Sequence, residues 1–201
     1  MKSKLFSAIK LSFLLSLVIL ISGCSGNRES KQTFVKDCIG IINEMKSRNE
    51  ILKLRGEAII TYRKSGFMDV DNAITATSLS VEVIRLDSIT LEHIKSIKKP
   101  DVISAEILMS LSGGIMSSIK GNTLFAANYR QAGNQNIEER KETILNIKPG
   151  MKYLAEGLNS VVNAFEKLDT YIKENNLEGE EEVATTLILF KMDRNKLAGF
   201  L

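Results

Sequence analysis

A chain of 201 residues, 44% hydrophobic and 25% charged, is long enough for one domain with a substantial core. Its single histidine excludes an imidazole metal cage and a two-histidine helix motif, and its two cysteines exclude a cysteine-stapled fold. The formal charge is only +3, and the first 23 residues carry three lysines and no acid, so basic and acidic side chains beyond them balance at 24 each. No basic footprint for nucleic acid remains.

Lys2, Lys4 and Lys10 precede or open an apolar run, Leu11 to Ile21, of 11 residues that include two serines. A bilayer-crossing helix needs ~20 apolar residues, so this run is too short to span. No acid appears before Glu29 and small residues follow the run, which is the layout of a cleaved secretory signal. "ISGC", Ile21 to Cys24, sets a branched apolar residue and two small ones before a cysteine. It resembles the lipobox of bacterial lipoproteins. The resemblance covers about the first 25 residues and implies cleavage between Gly23 and Cys24. It further implies a thioether-linked diacylglycerol on Cys24, usually with an amide-linked acyl chain, and attachment to a membrane of the cell envelope. Ser25, where an aspartate would signal retention at the inner membrane, implies outer-membrane sorting in a host with two membranes. The plainer alternatives are an ordinary cleaved signal or an uncleaved N-terminal anchor with an incidental cysteine. The processed chain has 178 residues and, with Cys24 acylated, Cys38 as its remaining thiol, which excludes an intramolecular disulfide.

Residues 25–30, "SGNRES", read as a polar tether with a reach of about 20 Å. From Phe34 the spacing turns helical: Phe34, Cys38, Ile41, Met45, Leu52, Ile59 and Tyr62 form one seam, with Arg48 and Arg55 in the intervening slots. "KSG" at 64–66 ends this helix, Gly66 suiting a left-handed cap. A second helix starts near "DVDN" at 69–72 and runs to the lysines before Pro100, with Leu79, Val83, Leu86, Thr90, His93 and Ile97 as its expected seam. A third spans roughly 101–132 and has few charges. A short helix and a break at Pro149 follow. Met151, Leu154, Leu158, Val161, Phe165, Leu168 and Ile172 then keep the three-four spacing throughout. A last helix after "NNLEGEEE" turns Val183, Leu187, Phe190 and Leu197 inward. No credible strand pair is present. The expectation is an all-α fold, an antiparallel bundle of about four long helices plus one or two shorter ones, forming a single domain over 31–201.

Few residues carry chemistry. His93 lies near a helix C-terminus, where a dipole-compatible structural role is the simpler reading than catalysis or sensing. Cys38 on the apolar seam behaves as a small hydrophobe. "DVDNAITATSLS" lacks the glycine and the final glutamate of a calcium loop. Glu180, Glu181 and Glu182 read as a solvated helix start. No phosphate loop, nucleophile elbow or dinucleotide fingerprint appears, and no cofactor or metal is expected.

Two features invite hypotheses. Arg48 and Arg55 sit one heptad apart, about 10 Å on one helix face, and each must reach a carboxylate or the bundle edge unless the pair receives an anionic ligand or acidic partner. Ser110, Gly114 and Ser118 form a small-residue row beside Gly113, Ser117 and Gly121. Such rows let backbones approach closely. The uncharged part, 107–119, is read as too short and polar to span, which favours a tightly packed central helix over a self-association face or an inserting segment.

The function expected from these residues is that of a non-enzymatic envelope lipoprotein, held by its N-terminal lipid, that binds a protein partner or supports an envelope assembly. A carrier or sensor of an anionic amphiphile, using Arg48 or Arg55, is the alternative. An envelope inhibitor of immunity type is a third.

Overall fold

The computed structural model describes the backbone of residues 2–133, 135–145 and 147–198 and the side chains of 27–132, 135–143 and 147–196. All regular structure within them is helical: α1 (Lys2–Lys64), α2 (Val70–Ser96), α3 (Val102–Gly133), α4 (Ile137–Leu145), α5 (Lys148–Glu174) and α6 (Glu180–Ala198). The expected all-α bundle, four long helices with shorter ones, is the observed fold. The side chains of Gly23, Cys24 and Ser25, and that of Leu197, lie outside the described residues.

Local chemistry sets the helix ends. α1 stops where Gly66 turns to φ +66°, closed by Phe67 N–H donating to Tyr62 O at 3.1 Å. Asp69 caps α2 by accepting from Asn72 N–H. Pro100 precedes a reciprocal box at the start of α3, in which Asp101 Oδ1 accepts from Ser104 N–H at 2.8 Å and Ser104 Oγ accepts from Asp101 N–H at 3.1 Å. Asn136 and Glu139 build the same device for α4, and Pro149 occupies the first turn of α5.

The tether expectation is corrected over Asn27–Ser30, which are helical and continue into the Phe34 seam. No breaker interrupts this polar run, and its long side chains find acceptors on the turn between α5 and α6. Arg28 Nη2 donates to Asn176 O at 2.9 Å, and Gln32 Nε2 donates to Glu178 O at 3.2 Å. Glu178 N–H returns a bond to Gln32 Oε1 at 2.9 Å, and Lys31 Nζ donates to Asn175 Oδ1 at 2.7 Å.

The helices meander: α2 packs between α1 and α3, α3 between α2 and α5, and α5 carries α6, which touches α1 lightly. The small-residue row of α3 serves the α3–α5 seam. A Cβ on Gly114 would lie 2.8 Å from Gly157 O, and one on Gly121 would lie 2.9 Å from Gly150 O. Two glycine pairs, each a heptad apart, therefore set an antiparallel backbone approach that no larger residue permits. Gly113, one step round the helix, has open space beside it. Among the described residues, α3 over Val102–Ala132 is long and apolar enough to cross a membrane, a length that the reading of 107–119 alone did not reach. It packs between α2 and α5, yet 39% of its most apolar stretch is buried there, and Met109 and Met116 face outward.

The second-helix seam is also corrected. Val83, Thr90 and Ile97 are buried as expected, but Ser80, Asp87 and Ile94 are buried where Leu79, Leu86 and His93 were expected. Each expected position yields to the residue following it. Ala73 and Ala76 complete this narrow face, letting α2 sit close.

Candidate functional site

The core falls into two clusters. One gathers Phe34, Ile41, Met45, Leu111, Phe165 and Ile172 toward the α5–α6 turn; the other gathers Tyr62, Ala73, Phe125 and Tyr129 toward the α1–α2 turn. Between them runs a polar layer built from heptad columns. On α1 the buried column Phe34, Ile41, Arg48, Arg55, Tyr62 and on α3 the buried column Leu108, Ile115, Asn122, Tyr129 each advance by seven residues, and they face one another at Arg55–Asn122 and Tyr62–Tyr129. The facing is direct: Arg55 Nη1 donates to Asn122 Oδ1, and the Tyr62 and Tyr129 rings lie 6.2 Å apart, edge to face.

The two nominated arginines end differently. Arg48 Nη1 donates to Asp87 Oδ1 at 2.7 Å, a buried ion pair with α2. Asp87 explains the shift of the α2 seam, since a buried guanidinium left unpaired would cost several kcal/mol. Arg55 is 8% exposed, and no carboxylate among the described residues pairs with it. Its partners are the neutral Asn122 amide and the face of Phe125, 5.0 Å from the guanidinium carbon. Burial pulls its pKa down to about 10, with Tyr129 and Asp87 opposing and Arg48 adding to the fall. The layer thus holds two guanidiniums and one carboxylate, which pairs with Arg48 alone. Unpartnered polar atoms collect here: Arg48 Nε, Arg55 Nε, Asp87 Oδ2 and the hydroxyls of Tyr62 and Tyr129. Burial pushes the Tyr129 phenol up to about 12 and raises that of Tyr62.

The other candidates are structural in their surroundings. His93 Nδ1 meets Glu44 Oε1 at 2.7 Å, joining α2 to α1. Cys38 is fully buried, and burial, with Asp37 nearby, raises its thiol pKa far above the ordinary value, so the thiolate is suppressed. Glu180 to Glu182 open α6, with Lys173 3.5 Å from Glu180 and Lys46 3.6 Å from Glu182. Among the described residues no group of three His, Cys, Asp or Glu side chains is placed to hold a metal.

Asp87, Asn122 and Tyr129 were not nominated from the sequence. Their signal is the seven-residue step from Ser80 to Asp87 and from Ile115 through Asn122 to Tyr129, which acquires meaning beside the Arg48, Arg55, Tyr62 column. Fold and site together define a class, an antiparallel helical bundle with a partly unpaired polar layer across its waist. No protein-family model matches the chain, and searches of curated proteins and of solved structures return no match.

Proposed function

We propose that the chain is a cell-envelope lipoprotein, acylated on Cys24, that stands its bundle on the membrane and works by binding rather than by catalysis. The sequence Ile21 to Cys24 after its apolar run supports the anchor, and the clasp of Arg28, Lys31 and Gln32 on the α5–α6 turn, which begins only four residues after Cys24, supports the posture. An acylated Cys24 would then hold this end of the bundle against the lipid surface, with the α1–α2 turn about 50 Å away at 1.5 Å per residue of α1. Acyl chains contribute ~0.8 kcal/mol per buried methylene, so dual acylation needs no basic patch to help it. Cys24→Ser is expected to accumulate as an unprocessed, unacylated precursor, read by palmitate labelling and by a mass shift. Normal processing of that variant would remove the proposal. If the host has two membranes, Ser25→Asp should move the protein toward the inner one on fractionation.

A second reading, a carrier or sensor of an anionic ligand, draws support from one observation. Arg55 holds a buried positive charge that no carboxylate among the described residues pairs with.

A further inference from the structure

We infer that the end of the bundle remote from Cys24 seats one tetrahedral oxyanion, phosphate or a phosphoryl group, among Arg55, Tyr62 and Tyr129, with Arg140 at its rim; this rests on the ligand-binding reading and names its ligand and seat. Tyr62 and Tyr129 are 0% exposed and Arg55 8% exposed, yet the two hydroxyls and Arg55 Nε find no protein partner among the described residues. Arg140 Nε is likewise unpartnered, although its Nη1 donates to Phe67 O at 3.0 Å and fixes the side chain against the α1–α2 turn. The same Phe67 ring packs on Tyr62 at 5.5 Å.

What these atoms share is the ability to donate. Two are guanidinium N–H groups and two are phenols, which donate as readily as they accept, and the one unpartnered acceptor of the layer, Asp87 Oδ2, belongs to the carboxylate already paired with Arg48. A water molecule could accept from one or two of them, but it would leave the charge of Arg55 unbalanced, because Asp87 is already engaged by Arg48. An anion answers both needs. The donors come from three helices, α1, α3 and α4, and are neighbours through their rings: the Tyr62 and Tyr129 rings lie 6.2 Å apart, and Arg55 and Tyr129 both pack on Phe125. A carboxylate offers two coplanar oxygens; a tetrahedral oxyanion offers four, and charge-assisted bonds to phosphate are among the strongest available to arginine. Burial, outweighing the opposing charges of Arg63 and Arg55 near Tyr129 and of Arg140 near Tyr62, raises both phenols, so both stay protonated and able to donate. The Phe125 and Phe67 rings wall the seat with apolar surface, which strengthens such bonds.

The source of the phosphoryl group separates by position. A headgroup of the anchoring membrane is about 50 Å from Tyr62 in the upright arrangement, so a soluble phosphate compound is the expected ligand.

The test uses the full chain in detergent micelles. Equilibrium dialysis with radiolabelled inorganic phosphate should give one site per chain, and phosphate should raise the thermal midpoint relative to chloride at equal ionic strength. Arg55→Gln, Tyr62→Phe and Tyr129→Phe should each weaken binding about tenfold or more, the loss of one bond to a charged acceptor. The tyrosine variants control for folding, because removing an unpartnered hydroxyl leaves the phosphate-free bundle at least as stable as the wild type. Vesicles of phosphatidylglycerol form a parallel arm. Binding to free phosphate assigns a soluble ligand, and binding to vesicles alone, with the same residue dependence, assigns a headgroup. Anion binding that is undiminished in all three variants would overturn the seat while leaving the carrier reading in place. A wild-type chain that binds neither phosphate nor vesicles would overturn both.

Discussion

Asp87 shows how one residue can decide the burial of a whole helix face. It is 1% exposed, and its Oδ1 takes the Arg48 proton-bearing nitrogen at 2.7 Å, so neither charge tolerates loss of the other. Asp87→Ala should therefore destabilise the bundle by about 3–5 kcal/mol, whereas Arg48→Met combined with Asp87→Leu should cost far less or stabilise. Urea unfolding of the two variants measures this. Equal losses would mean that the pair contributes through packing alone. Asp101 gives a second residue-scale outcome, in pH. Burial pushes its carboxyl up, but Ser104, the Tyr171 hydroxyl at 2.9 Å and the charge of Lys31 together hold it below the usual aspartate value. A depressed folded pKa gives stability that is complete above the unfolded value, 3.8, and is lost as pH falls through the folded one. Asp101→Asn should therefore be less stable than the wild type at about pH 6, with the gap closing by about pH 2. Urea midpoints across that range check the sign.

At the scale of the element, two neighbouring glycines of α3 should respond oppositely to the same change. Gly113 faces open space, so Gly113→Ala should stabilise by up to about 1 kcal/mol through helix propensity. Gly114 faces the Gly157 carbonyl, and its Cβ would lie 2.8 Å from that oxygen and 2.7 Å from Val161 Cγ2. Gly114→Ala should destabilise by about 1–3 kcal/mol despite the same propensity gain, because α3 and α5 must part. Thermal midpoints moving in the same direction would contradict the close approach. The contrast also marks where sequence reading succeeds. The seams of α1 and α5 are legible because large apolar residues such as Phe34, Ile41, Phe165 and Ile172 recur every three or four positions and all are buried. The α2 face is not legible, because Ala73, Ala76, Ser80 and Asp87 carry no hydrophobic signal and Leu79 and Leu86 beside them do. Gly150 and Gly157 pass unnoticed for a different reason. Their purpose is a match to Gly121 and Gly114 on another helix, a relation between two segments that no single segment displays. Arg48 and Arg55 stand out in the sequence as charges on an apolar seam, yet only their partners separate a satisfied ion pair from an unbalanced charge.

For the molecule as a whole, if Cys24 is acylated as proposed, the clasp of α1 on the α5–α6 turn would convert that lipid anchor into an orientation. Were residues 25–30 a loose tether, the bundle could lie on the membrane as readily as stand. The Arg28, Lys31 and Gln32 contacts leave few residues to swivel, and Lys31 also reaches Asp101 at 3.6 Å, which draws the α2–α3 turn to the same end. Lys98 and Lys99 on that turn should lie near the headgroups, and Met68, exposed on the α1–α2 turn, should lie about 50 Å above them. Single labels discriminate between the two postures. Cys38 is buried with its thiol pKa raised, so it resists modification in the folded chain, and an acylated Cys24 has no free thiol. A dye on Lys99→Cys should then transfer energy strongly to headgroup acceptors in vesicles carrying the acylated protein, and a dye on Met68→Cys weakly. Equal transfer from the two positions would mean a bundle lying flat. It would also bring the Arg55, Tyr62 and Tyr129 seat within reach of the same headgroups, changing the expected source of its phosphoryl ligand from solution to membrane.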